Sequence, residues 1–87
     1  MPLLWIVQVS AEGGGRLFNV LVSDDNRDRA EAVAAEALLS VGWRDVTPLR
    51  SGQVSEAGLA SRDQAFQGAA TAARELGWSI IGYSRDS

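Results

Sequence analysis

Cysteine, histidine and lysine are absent from these 87 residues, and proline occurs only twice. Each absence removes a class of chemistry. Without Cys there is no disulfide, thiol nucleophile or thiolate metal ligand, and without His no imidazole acid–base pair or His-bound metal. Without Lys there is neither a Schiff base nor the lysine of a phosphate-binding P-loop. No apolar run approaches the ~20 residues that span a bilayer, so no membrane segment is expected. A basic track for nucleic acid is missing too: eight arginines face eleven acids, for a net charge of −3.

Catalysis would then rest on Asp, Glu, Ser, Thr, Arg and the single Tyr83. No Ser stands in G-x-S-x-G, and no carboxylate pair is marked out by spacing. The chain is therefore expected to be non-enzymatic, with no cofactor, no metal and no direct nucleic-acid contact.

What is present is apolar and Ala-rich. Of 40 apolar residues 13 are Ala, which leaves 27 large side chains, enough for one core and a single domain over residues 1–87. The use of Arg alone as the base, beside abundant Ala and Gly, points to a GC-rich bacterial or phage genome. The lack of Cys is compatible with a cytoplasmic location. The opening residues have no basic leader and read as a strand rather than a secretory signal.

Period-two spacing places Trp5, Val7 and Val9 opposite Leu4, Ile6 and Gln8, which predicts a strand over residues 3–10. Residues 16–23 repeat the pattern, with Phe18, Val20 and Val22 opposite Leu17, Asn19 and Leu21. The link Ala11-Glu12-Gly13-Gly14-Gly15 has hairpin length. A phosphate cradle is the competing reading of its three glycines, but neither GK[ST] nor a helix follows.

Residues 24–42 carry an apolar stripe at helical spacing: Ala30, Val33, Ala34, Ala37, Leu38 and Val41. Acids crowd its start, and Gly42 is placed for a left-handed cap. A second helix is predicted over residues 61–76, capped by Ser61 with Gln64 three positions on, buried through Ala65, Phe66, Ala69, Ala72, Ala73 and Leu76, and ended by Gly77. Residues 78–83 read as a closing strand.

A shift of 35 residues superposes much of this pattern, aligning Arg27-Asp28 with Arg62-Asp63 and Gly42-Trp43 with Gly77-Trp78. Between the repeats, residues 46–50 and 53–55 read as two strands joined by a Ser51-Gly52 turn. The expected fold is thus α+β: a ferredoxin-like sandwich of two βαβ halves, both helices on one face of a mainly antiparallel sheet, with an extra N-terminal strand. The alternative is a β-β-α-β-α-β open sheet in which residues 46–50 form one strand and 51–60 a loop. In either case Pro48, which cannot donate to a ladder, belongs at an edge or a bulge.

Trp43 and Trp78 are candidates for paired stacking platforms, although apolar residues just past a capping Gly ordinarily pack back on the last helical turn. Ser51, Gly52, Gln53 and Ser55 are candidates for a small-ligand pocket, against the simpler reading of an exposed connection. Asp24, Asp25, Asp28 and Glu31 lack the loop ligands and glycine of a calcium site, and helix capping accounts for them equally well.

Charge is more informative. Residues 24–36 hold Asp24, Asp25, Asp28, Glu31 and Glu36 against two arginines, and so contain the whole formal excess. These five acids are the candidate partner-binding residues, suited to steering onto a basic protein surface. A second route to association comes from strands apolar on both faces. With both helices on one side, the other side would need cover, so a homodimer, or docking to another protein, is expected through the sheet face or an exposed edge.

The function expected is a protein–protein interaction or regulatory module. In small size and acidity the profile resembles anti-CRISPR proteins, which implies a phage or mobile-element inhibitor of a host nucleic-acid-binding complex. The alternative is a small-ligand sensor with its ligand at a dimer interface.

Overall fold

The computed structural model describes residues 3–84, and side chains through residue 81. Its centre is the hairpin. β1 (Leu3–Ala11) and β2 (Arg16–Asp24) pair antiparallel from Leu3↔Asp24 to Ala11↔Arg16, without interruption. The link is a 3-10 turn, Glu12–Gly14, in which Glu12, Gly13 and Gly14 all have positive φ. Glycine tolerates that conformation cheaply, which explains the Gly-rich link. The Glu12 amide also donates to the Arg44 carbonyl, tying the turn to the chain beyond the first helix.

That helix, α1 (Arg27–Ser40), starts later than the stripe of residues 24–42 suggests. Asn26 caps it by accepting from the amides of Asp28 and Arg29. At its other end Gly42 has φ 104°, and the amides of Gly42 and Trp43 donate to the carbonyls of Leu39 and Leu38. This is a Schellman closure, as the Gly-Trp pair predicts.

β3 (Thr47–Gln53) corrects the reading of residues 46–55 as two strands. Gly52 lies outside the left-handed region, and Ser51 and Gly52 pair with Val7 and Ile6 instead of turning. The irregularity is a bulge: Arg50 faces Gln8 and Pro48 faces Val9, leaving Leu49 extra. Pro48 therefore sits on an edge strand beside a bulge, as its missing donor requires.

The helix expected over residues 61–76 starts later, and a separate short helix precedes it in residues read as a connection. α2 (Glu56–Ala60) is capped by the Ser55 hydroxyl, and α3 (Gln64–Leu76) is capped by Asp63, which accepts from the Phe66 amide. Ser61, the predicted cap, instead ends α2 and donates to the Gly58 carbonyl. The buried stripe of α3 is Phe66, Ala70 and Ala73, while Ala65 and Leu76 are exposed. Gly77, at φ 99°, closes it with the left-handed geometry of Gly42, and β4 (Trp78–Ser84) follows.

The result is an open, wholly antiparallel α+β sheet in the order β3-β1-β2-β4. Its elements follow the alternative β-β-α-β-α-β order, with α2 added. Of the two expected βαβ halves, β2-α1-β3 forms, its parallel strands separated by β1, but β3 and β4 run in opposite directions and the helices take opposite faces. One face of the sheet carries Trp5, Val7, Val9, Phe18, Val20 and Val22 against Ala30, Ala34 and Leu38 of α1. The other carries Leu4 and Leu21 against Phe66, Ala70 and Ala73 of α3.

Connectivity accounts for this arrangement. α1 crosses β1 on one face to place β3 at the far edge. The return from β3 to β4 must traverse the whole sheet, and the face left free is the one α3 takes. Strands apolar on both sides thus receive cover on both sides from their own chain. Leu21 and Leu38, each fully buried, mark the two cores; each contributes roughly 1.5–3 kcal/mol by burial.

Candidate functional site

The five acids singled out by charge do not behave alike once folded. Asp24 ends β2, and its Oδ1 accepts from the Asn26 amide and from Arg29 Nε, with Arg29 Nη2 at 3.1 Å. Its backbone carbonyl accepts from Trp5 Nε1 at 2.8 Å, so Asp24 fastens the start of α1 to the sheet. Glu31, half-buried on α1, accepts from the Ser51 hydroxyl at 2.7 Å and links the helix to β3. These two acids are structural ties. Asp25, Asp28 and Glu36 are exposed and have no ion pair among the described residues.

The two arginines of the segment are committed elsewhere. Arg29 pairs with Asp24, and the Arg27 guanidinium lies 5.3 Å above the Trp5 ring. The three free carboxylates therefore keep their charge unneutralised at the surface. Asp28, Ala32, Glu36 and Leu39 recur at i, i+4, i+8 and i+11 and form one outward stripe of α1. Leu39, 53% exposed, ends the acidic stripe in an apolar side chain, whereas Val41, which the helical spacing assigns to the apolar side, is 54% exposed just past the helix end.

Trp43 and Trp78, the candidate stacking platforms, both pack against the α1-side core. Trp43 meets the Phe18 ring at a centroid distance of 4.8 Å, tilted by 57°. Among the described residues no group of three acids converges as a metal site requires.

Of the candidate pocket residues, Ser51 and Gly52 line a depression of about 330 Å³ on the opposite, α3-bearing face, together with Ile6, Gln8, Asn19 and Arg50. Gln53 and Ser55 do not line it; Ser55 caps α2. Sequence reasoning missed Gln8, Asn19 and Arg50 as a group. A signal existed for two of them, because a link of this length sets Gln8 opposite Asn19 with both on the same alternate phase. Arg50 joins them only through the β1–β3 register, which the bulge at Leu49 conceals.

No protein-family model, no curated protein and no solved structure matches this chain.

Proposed function

We propose that this chain is a non-enzymatic interaction module that docks on a basic surface of another protein through the outward stripe of α1. The observation that carries this reading is the internal commitment of Arg27 and Arg29, which leaves Asp25, Asp28 and Glu36 unpaired, with exposed Leu39 on the same stripe as Asp28 and Glu36. Unpaired like charges favour encounter with a cationic partner, and Leu39 supplies apolar surface that gains by burial. The partner chemistry that fits is an arginine- or lysine-rich surface of the kind that holds nucleic acid, so the module would act by competing for that surface. Asp24 and Glu31 support the helix and do not face the partner.

Self-association through a sheet face loses its premise, since α1 and α3 cover one face each.

The test compares the wild type with D25R/D28R/E36R in affinity capture from host lysate at low and high salt, with circular dichroism as the folding control. A basic partner retained at low salt, released at high salt and lost by the folded variant supports the reading. Equal capture by the variant defeats it.

A further inference from the structure

The depression on the α3-bearing face has a composition unlike the rest of that face. Leu4, Ile6 and Leu21 lie under or beside α2 and α3, whereas the next row across the sheet is polar. Arg50, Gln8, Asn19 and Gly82 stand in one line through all four strands, set by the pairs Arg50↔Gln8, Gln8↔Asn19 and Asn19↔Gly82. Both bulges flank this row, between Gln8 and Val9 on one side and between Asn19 and Val20 on the other.

Hydrogen bonding within the row fixes its polarity. Arg50 Nε donates to Gln8 Oε1 at 3.1 Å, so the acceptor end of the Gln8 amide is used and its NH2 remains to donate. The terminal guanidinium nitrogens of Arg50 have no ion pair among the described residues, and no acid lines the depression. The Ser51 hydroxyl is turned to Glu31, on the α1 side of the sheet. What faces the depression is a cation and an amide donor above an apolar wall, Ile6.

We propose that this depression binds a small organic carboxylate. Arg50 and the Gln8 NH2 donate to its two oxygens, Asn19 borders it, and Ile6 packs against its apolar body. A guanidinium offers paired donors that match a carboxylate in geometry as well as charge. The volume of about 330 Å³ stands at the small end of the ~300–1,000 Å³ range of ligand sites, which suits an acid of amino-acid or benzoate size. The site lies on the face opposite α1, so it stands or falls independently of the docking surface.

Gly52 supplies a control that leaves the fold intact. A Cβ at Gly52 meets nothing within 4 Å, and its pairing with Ile6 directs an added side chain into the depression. The experiment is a titration of the isotope-labelled full chain with sodium benzoate, followed by amide NMR shifts at matched ionic strength. Benzamide serves as the neutral isostere, and R50Q and G52V as variants whose unfolding midpoints are measured alongside.

Saturable shifts confined to the amides of Ile6, Gln8, Asn19 and Arg50 to Gly52 are expected. Affinity should fall about tenfold or more in R50Q, as loss of a charge-assisted pair implies, and binding should be blocked in G52V. Absent or scattered shifts, equal binding of benzamide, or undiminished binding by either folded variant would overturn the proposal.

Discussion

At the scale of single residues, the positions that set the fold are caps. Gly42 and Gly77 adopt φ of 104° and 99°, and a Cβ at either would meet no atom within 4 Å. An alanine there is strained by its own backbone alone. G42A and G77A should each lower unfolding stability by about 1–2 kcal/mol in urea titration. N26A removes the oxygen that accepts from two amides of α1 and should cost about 1 kcal/mol by the same measurement. The two glycines are legible from sequence because a left-handed Gly acts locally, whereas the Asn26 cap is hidden among Asp24, Asp25 and Asp28, which are equally good cap residues. The Ser61 cap was misplaced for the same reason: Ser61 and Asp63 are both good cap residues, and only the division into α2 and α3 decides between them.

At the scale of elements, alternation along β1 and β2 was readable because large β-branched and aliphatic side chains recur on a period of two, and α1 because Ala30, Ala34, Ala37 and Leu38 are buried on a helical one. α3 was displaced by one position. Alanines at 65, 69, 70, 72 and 73 make two overlapping stripes of equal apolarity, so packing against Leu4 and Leu21 chooses between them. β3 was obscured because an edge strand buries little: Thr47, Leu49, Arg50 and Gln53 are exposed, and no hydrophobic period survives. The same asymmetry governs local stability. Amides of β1 and β2, paired on both sides, should exchange most slowly in native-state hydrogen exchange, with those of β3 and β4 opening at lower free energy. Leu38→Ala, in the fully buried seam of α1, should destabilise by about 2–5 kcal/mol in urea titration.

At the scale of the whole molecule, sequence showed that both sheet faces need cover but not where the cover comes from. That depends on the order of strands: with β3 and β4 at opposite edges, the connection between them must cross the free face. The docking stripe was legible as net charge, yet which acids stay free was not, since Glu31 meets Ser51 only through a tertiary contact and Asp24 meets Arg29 only because β2 ends and α1 begins between them. An open sheet has two edges, and here both edge strands are kinked beside the same row, at Leu49 and near Ile81. A straight edge offers its unpaired amides as a template on which further chains can grow, whereas a bulge twists that template out of register. The paired kinks thus bear on colloidal behaviour at high concentration. Deleting Leu49 in a P48T background restores a regular, fully donating edge, and should shorten the lag before thioflavin-positive fibrils form.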